Sequence, residues 1–254
     1  MLPTPDTSHV PFERVYEPAE DSYLLLDTLS APSETAFLTS RFGGQNAPAP
    51  LVVEVGTGSG VVVGFIAAQT EKLFGTRNVL TAGVDLNVFA CRATNGTVKC
   101  AQDENRNTSS NAWLGAMMGD LTSPWRDGVV DILVFNPPYV PSPELPDQSS
   151  ETLMIGERKT TFDEDSYLLS LSYAGGKDGM ETTDRLIEAL PAILSTKGCA
   201  YILLCAQNKP QEVKSRIEGF GSSWKAVTVG ESGKQAGWEK LQIIRVWKEE
   251  QTLP

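Results

Sequence analysis

The segment from residue 51 to residue 69 constrains the fold more than any other part of the chain. An apolar, β-branched run at 51–55, LVVEV, is followed by the glycine loop GTGSG at 56–60 and by an apolar, helix-like stretch. A strand, a glycine loop and a helix in this order form the building unit of an open α/β sheet. Glycines let the backbone approach a ligand closely, and a helix N-terminus favours a negative group. We therefore predict a ligand site at the end of this strand.

The glycine loop differs from a dinucleotide-binding loop. The dinucleotide pattern is G-x-G-x-x-G, whereas here Gly56 and Gly58 are followed by Gly60 one residue early. Glu54 lies on the strand just before the loop. A carboxylate at this point suits a ligand with a cationic amino group better than a pyrophosphate. This favours S-adenosylmethionine as the cofactor, and the structural alternative is a tight strand–helix turn that binds nothing.

Two further predicted strands end in a carboxylate. Residues 80–85 end in Asp85, and residues 116–119 are followed by Asp120. Each aspartate alone is explained by a helix cap or a turn. Together they favour a ligand site, because ligands of open α/β sheets bind at the carboxyl ends of the strands. We predict that Asp85 binds the ribose hydroxyls and that Asp120 accepts from the adenine amine.

The motif Asn-Pro-Pro-Tyr follows the apolar run of residues 131–135. The side-chain carbonyl of Asn136 is a hydrogen-bond acceptor, and Pro137 forces Asn136 out of the helical region. The Asn136 oxygen and the Pro137 carbonyl can both accept from one –NH2 group, on which Tyr139 can stack. We predict Asn136, Pro137 and Tyr139 as catalytic residues, and no catalytic histidine, cysteine or metal. The targets that fit are an exocyclic base amine or a side-chain amide; the structural alternative is a strand followed by a Pro-Pro turn.

Four segments carry a family resemblance: VYEPAEDS at 15–22, EVGTGSG at 54–60, VFNPPYV at 134–140 and, more weakly, AGGKDG at 174–179 together with Asp184 and Arg185. With them the chain resembles the HemK-like protein glutamine N5-methyltransferases, which are class I S-adenosylmethionine-dependent enzymes. The resemblance is strongest to the eukaryotic and archaeal branch that modifies the class 1 translation release factor. The residues that it implies in contact with cofactor or substrate are Ser22, Glu54, Gly56, Asp85, Asp120 and Asn136.

The resemblance also implies a substrate and a partner. The substrate is the glutamine of the Gly-Gly-Gln motif of the release factor, and the partner is a small zinc-binding activator in a 1:1 heterodimer. In the class I strand order the third strand lies at an edge, and residues 112–118 read AWLGAMM without a charge. Free edges are usually blunted with Lys or Pro, so we expect the activator to contact this edge from Trp113 to Met118.

The predicted fold is α/β: a doubly wound, Rossmann-like seven-stranded sheet with an antiparallel C-terminal strand pair, in a single domain of residues 1–254. Residues 1–14, with His9, are expected to form a mobile arm, and residues 15–50 a helix and a Pro/Gly-rich surface connection that cover the cofactor. This connection holds a Gly-Gly-Gln at 43–45, which we interpret as coincidence. The expected strands lie near residues 51–55, 80–85, 116–119, 132–135, 199–206, 225–229 and 241–247. The expected helices lie near residues 18–29, 61–69, 182–194 and 212–219.

Composition narrows the class of protein. The 254-residue chain carries a formal charge of −11, which argues against nucleic-acid binding. No apolar run is long enough for a membrane span, and no signal peptide is visible. The four cysteines form no C-x-x-C pair and the chain has one histidine, so we expect reduced thiols and no internal zinc site. We expect a cytoplasmic protein, with the nucleus as a second location left open.

Three rival functions remain open at this stage. An adenine methyltransferase acting on DNA or RNA uses the same Asn-Pro-Pro-Tyr motif. A protein lysine methyltransferase needs a base to deprotonate the ammonium, and none is obvious. A non-catalytic assembly subunit would not need the cofactor carboxylates. Residues 101–111 and the acidic residues 142–166 have no assigned role, although the latter could attract a basic protein surface.

Overall fold

The computed structural model describes residues 2–44, 47–105, 112–148, 160–233 and 240–249. Its strands are β1 Leu51–Val55, β2 Leu80–Asp85, β3 Ala112–Met118, β4 Val130–Phe135, β5 Leu194–Cys205, β6 Trp224–Glu231 and β7 Leu241–Lys248. They form one sheet in the order β3-β2-β1-β4-β5-β7-β6. The first five strands are parallel, and β7 runs antiparallel between β5 and β6.

Helices cover both faces of this sheet. They are α1 Glu20–Ser30, α2 Pro32–Phe42, α3 Val61–Ala68, α4 Thr70–Phe74, α5 Val88–Glu104, α6 Phe162–Tyr173, α7 Glu181–Ile193 and α8 Pro210–Glu218. One core cluster joins the sheet to α7 and α8, and a second joins the opposite face to α1, α2, α3 and α4. This doubly wound architecture confirms the predicted fold class, including the antiparallel C-terminal strands.

The strand order reverses between β1 and β4. From β1 the chain winds outward through β2 to β3, and then returns to place β4 on the other side of β1. The two connections therefore diverge at the carboxyl ends of β1 and β4 and leave a crevice between them. Crevices of this kind are where open α/β sheets bind their ligands.

The surface connection predicted for residues 30–50 is wrong in part, because helix α2 occupies Pro32–Phe42. Pro32 stands in the first turn, where a missing N–H costs nothing. The helix packs through Leu38 and Phe42, and it buries Glu34. Glu34 accepts from Tyr201 at 2.9 Å and from Arg245 at 2.6 Å. Sequence reasoning missed the helix because it has few apolar side chains and because one of its contacts with the sheet is a buried ion pair.

Other boundaries also differ from the predictions, among them the start of β5, which begins at Leu194 and not near residue 199. Strand β3 begins at Ala112, four residues before the predicted start, and α5 extends through Glu104 into the predicted loop at 101–111. Helix α6 occupies part of the predicted loop at 142–166 and begins with a capping box between Thr161 and Glu164. Residues 106–111 and 149–159, which form a large part of these two loops, lie outside the described residues, as does Gln45 of the Gly-Gly-Gln tripeptide.

The structure places the N-terminal segment, predicted as a mobile arm, against α5. Val10 and Val15 are buried in a cluster with Ala90 and Ala93. Nε2 of His9 lies 3.1 Å from the Ala93 carbonyl oxygen. The segment is therefore packed along the helix and brings the residues that follow it to the edge of the ligand crevice. All described strands join one sheet, and the single domain for the whole chain stays a prediction.

Candidate active site

A cavity with about 1020 Å³ of empty space, part of it open to solvent, lies at the carboxyl ends of β1, β2 and β4. The predicted cofactor residues that line it are Ser22, Glu54, Gly56, Gly58, Asp85, Asp120 and Asn136. The predicted strand-end residues therefore come together around one space.

The cavity is covered on one side by the N-terminal segment and on another by α6. Val15, Tyr16 and Ser22 line it, as do Leu168 and other residues of α6. Nε of Arg14 lies 3.2 Å from Oδ1 of Asp165, so an ion pair joins the two covering elements. The position of residues 15–22 agrees with the expectation that the N-terminal region covers the cofactor.

The glycine loop needs its glycines for two different reasons. Gly56 and Gly60 have φ of 66° and 78°, in the left-handed region that side chains disfavour. A Cβ on Gly56 would come no closer than 3.6 Å to the Phe135 ring, so backbone conformation alone requires this glycine. A Cβ on Gly60 would lie 2.6 Å from Cα of Thr94, so Gly60 also lets α3 pack closely against α5. The early third glycine therefore serves helix packing.

Glu54 is a buried carboxylate at the end of β1. Its Oε2 accepts from the backbone N–H of Val63 in the first turn of α3, at 2.9 Å. Burial raises the pKa of Glu54 well above its ordinary value, and the nearby Asp85 carboxylate adds to the increase, whereas the hydrogen bond from Val63 opposes it. A cationic group in the cavity would offset this cost of burying the charge. Glu54 therefore fits the α-amino group of S-adenosylmethionine.

Asp85 is fixed by backbone hydrogen bonds at the end of β2. Its Oδ2 accepts from Gly58 N–H at 2.9 Å and its Oδ1 from Asn87 N–H at 2.8 Å. Burial raises the pKa of Asp85, and these backbone donors lower it in part. A carboxylate has about four lone-pair positions, so both oxygens retain capacity to accept. This arrangement fits the two hydroxyl groups of a ribose.

Asp120 follows β3 and lies at a different edge of the cavity. It forms an ion pair with Arg185 of α7, whose guanidinium also lies 3.5 Å from Oε1 of Gln148. The next residue, Leu121, has φ of 51°, an unusual conformation for a bulky residue and one that clusters at ligand sites. Asp120 is the carboxylate predicted to accept from the adenine amine, and Arg185 holds it in place. The sequence did not indicate this role of Arg185.

Asn136 is oriented by Asp21, a buried carboxylate in the first turn of α1. Oδ2 of Asp21 accepts from Nδ2 of Asn136 at 3.1 Å and from the Tyr16 hydroxyl at 3.0 Å, while Oδ1 accepts from Ser22 N–H at 2.6 Å. Because an ionised carboxylate only accepts, it fixes which end of the Asn136 amide points away from it. Oδ1 of Asn136 is buried and has no hydrogen-bond partner.

Asp21 was missed as a functional residue, although its segment was singled out. Asp21 stands in the matching segment Glu20-Asp21-Ser22, in the first turn of α1. No local pattern predicts that this turn contacts the end of β4. Pro137 and Tyr139, predicted as catalytic, lie outside the set of residues that line the cavity. Tyr139 packs partly buried against the core cluster, and its carbonyl oxygen accepts from Asn208 at 3.2 Å. Their roles toward the methyl acceptor stay predictions.

The polar side chains that line the cavity fit S-adenosylmethionine. The carboxylates that line the cavity could accept from a cationic amino group, from ribose hydroxyls and from an adenine amine, and buried polar atoms without partners belong to residues of the same lining. Within the described residues no group of three or more His, Cys, Asp or Glu side chains could hold a metal ion. No helix in the same part of the chain is long and apolar enough to cross a membrane.

This fold and this site define a class I S-adenosylmethionine-dependent methyltransferase. No family model matches the chain. Methyltransferase HEMK2 of Mus musculus is 32% identical over 250 residues, 97% of this chain and 97% of the relative. The eRF1 methyltransferase catalytic subunit mtq2 of Schizosaccharomyces pombe is 31% identical over 261 residues, 98% of this chain and 96% of the relative. The chain belongs to the HEMK2 family of methyltransferases.

A solved structure supports the fold. The N-terminal domain of human METTL16, in complex with S-adenosylhomocysteine, is similar with a TM-score of 0.54 and 14% identity. The match covers 95% of this chain and 75% of the METTL16 chain. The predicted family and the predicted cofactor are confirmed.

Replacing Glu54 by Gln should stabilise the free protein and weaken cofactor binding. Glutamine keeps an oxygen that can accept from Val63 but carries no charge. Because the pKa of Glu54 is raised in the folded state, the wild type loses stability as the pH rises from about 4.5 through the raised value. The difference between the unfolding temperature of Glu54→Gln and that of the wild type should therefore increase in favour of the variant as the pH rises.

The same variant should bind S-adenosylhomocysteine about tenfold or more weakly at neutral pH, since a charge-assisted hydrogen bond is lost. Thermal unfolding and titration calorimetry measure the two effects. The control is Glu71→Gln, at an exposed ion pair with Arg77, which should change neither. Equal unfolding temperatures of Glu54→Gln and wild type at every pH would contradict the assignment of a buried charge.

Proposed function

We propose that this chain transfers a methyl group from S-adenosylmethionine to the side-chain amide nitrogen (N5) of the glutamine in the Gly-Gly-Gln motif of the class 1 translation release factor. Two findings support the proposal. The fission yeast relative is named as an eRF1 methyltransferase catalytic subunit. The observation that carries it is the unpartnered, buried Oδ1 of Asn136 beside the cofactor cavity, which is an acceptor placed for an –NH2 group.

The amide of glutamine is a weak nucleophile because its nitrogen lone pair is delocalised into the carbonyl. The cofactor, when bound, supplies an electrophilic methyl on a sulfonium. Asn136 accepts an N–H of the amide through Oδ1, which orients the nitrogen and favours the form in which its lone pair is free. Asp21 keeps the amide of Asn136 in the accepting orientation. The amide nitrogen becomes more acidic once it carries the methyl group than it is in the free amide. The site therefore needs no strong base before the transfer.

The rival substrates fit this site less well. An adenine amine presents the same two N–H groups to Asn136, but a chain with a net charge of −11 does not favour a nucleic acid. A lysine ammonium must first lose a proton, and the carboxylate of Asp21 is already engaged by Asn136 and Tyr16. The three polar strand ends and the intact Asn136 oppose a purely structural subunit.

Mass spectrometry tests the proposed substrate directly. The protein, with its activator subunit present, is incubated with labelled S-adenosylmethionine and either a release factor, a histone or adenine-containing nucleic acid. We expect one methyl group on the glutamine of the Gly-Gly-Gln loop. A release factor in which this glutamine is replaced by asparagine or alanine is the matched control and should stay unlabelled. Label found only on adenine or on lysine would exclude the proposal.

Replacing Asn136 by Ala should separate catalysis from cofactor binding. Without its oxygen the amide is no longer held, and we expect turnover to fall by roughly two or more orders of magnitude. The affinity for S-adenosylhomocysteine should stay within about tenfold. Asp85→Ala is the comparison, because it should weaken cofactor binding first. Single-turnover kinetics and calorimetry measure both, and wild-type turnover of Asn136→Ala would refute the role of Asn136.

We also propose a heterodimer with a small zinc-binding activator at the free edge of β3. The name of the fission yeast relative, a catalytic subunit, supports a partner of some kind. At this edge Leu114 and Met118 are exposed, by 50% and 43%. Trp113, expected at the contact, instead packs against α5 and donates its indole N–H to Asn95 at 2.9 Å. Leu114 and Met118 are thus the apolar side chains available to a partner.

Replacing Leu114 by Asp should abolish co-purification with the activator, because it places a charge in an apolar contact. The two opposite edges of the sheet offer a matched control. Val227 lies on β6 at the other edge and is exposed by 39%, so Val227→Asp should co-purify normally. The affinity of both free variants for S-adenosylhomocysteine should equal that of the wild type. A Leu114→Asp chain that still binds the activator would place the interface elsewhere.

The location in the cell follows from the proposed substrate. A modifying enzyme of a translation factor acts in the cytoplasm, and imaging of a tagged chain in cells tests this expectation. A solely extracellular or membrane-enclosed signal would argue against it.

A further inference from the structure

Thr182, in the first turn of α7, carries a hydroxyl that the fold leaves without a partner. Its side chain is 6% exposed, and its Oγ1 is buried without a hydrogen bond. A buried hydroxyl of this kind is costly unless something binds it. Thr182 lines the cofactor cavity, so a ligand bound there is a candidate partner for this hydroxyl. The sequence analysis assigned it no role.

We propose that the Thr182 hydroxyl donates a hydrogen bond to a ring nitrogen of the adenine base of the cofactor. This deepens the proposed function, on whose cofactor it rests. An acceptor atom of the ligand is favoured, because the hydroxyl sits at the N-terminus of a 13-residue helix. The positive end of the helix dipole favours a partner that presents negative charge. The ring nitrogens of adenine are acceptors of this kind.

The position of Thr182 selects the adenine over the rest of the cofactor. Arg185 stands three residues later on the same helix face, and helical side chains lean toward the N-terminus. Arg185 pairs with Asp120, and Asp120 and Thr182 both line the cavity. Because Asp120 is the predicted acceptor of the adenine amine, Thr182 lies at the same end of the cavity. Asp120 then accepts from the base and Thr182 donates to it.

The neighbouring residue provides a matched control. Thr183 is fully buried, and its Oγ1 also lacks a partner, but it does not line the cavity. Replacing either threonine by valine removes a hydroxyl and keeps the shape. Both valine variants should be folded and at least as stable to heat as the wild type, since neither hydroxyl is paired in the free protein. Only one of them should affect the ligand.

Titration calorimetry with S-adenosylhomocysteine tests the proposal without any methyl acceptor. We expect Thr182→Val to bind about 3- to 10-fold more weakly than the wild type, Thr183→Val to bind equally, and Thr182→Ser, which keeps the hydroxyl, to bind within about twofold. Equal affinities of Thr182→Val and Thr183→Val would overturn the proposal. Because no release factor is present, a failure of the proposed substrate leaves this result unaffected.

Analogues identify the ligand atom. S-adenosylhomocysteine analogues with N1, N3 or N7 of the base replaced by CH are titrated into wild type and Thr182→Val. One analogue should lose affinity for the wild type and lose little or none for Thr182→Val, as a double-mutant cycle requires for two groups in contact. Equal losses in both proteins for all three analogues would overturn the assignment to adenine. So would a raised KM for the release factor with unchanged affinity for S-adenosylhomocysteine, which would place the hydroxyl on the acceptor.

Discussion

The site depends on the hydrogen bond from Nδ2 of Asn136 to the carboxylate of Asp21. It joins the end of β4 to the first helix, across 115 positions of the chain. An asparagine amide is nearly symmetric in shape, so packing alone does not decide which end faces a ligand. A carboxylate decides it, because it cannot donate. Without Asp21 the oxygen and nitrogen of Asn136 could exchange places, and the cavity would present a donor where the proposed reaction needs an acceptor.

Much of the fold could be predicted because its signals are local. The run at residues 51–60 carries a strand and its loop in consecutive letters, and Asp85 marks the end of the next strand. The parallel order then brings these ends together without further information. For the same reason Glu54, Gly56, Asp85 and Asn136 were found from sequence and lie around one cavity. At the end of a strand, the position of a residue in the sequence pattern also predicts its position in the fold.

The contacts that sequence reasoning missed join residues that are well separated along the chain. Arg185 pairs with Asp120 from 65 positions away, and Asn95 of α5 accepts from Trp113 of β3, which lies 18 positions later. Nothing in the letters near Trp113 shows which side of β3 it occupies; the bulge between Thr81 and Gly83 shifts that register. Helix α2 was missed because a glutamate such as Glu34 is usually expected on the surface. Only its two distant partners, Tyr201 and Arg245, make the burial of its carboxylate tolerable.

The same Glu34 ties the folding of this protein to its synthesis. Arg245, which pairs with it, follows 211 positions later. At about 5–20 residues per second, a ribosome needs on the order of 10–40 s to make that stretch. During this time helix α2 has a carboxylate destined for the interior and no cation to accompany it. Burying this carboxylate alone is costly, so full docking of α2 on the sheet is favoured only after Arg245 of β7 has been made.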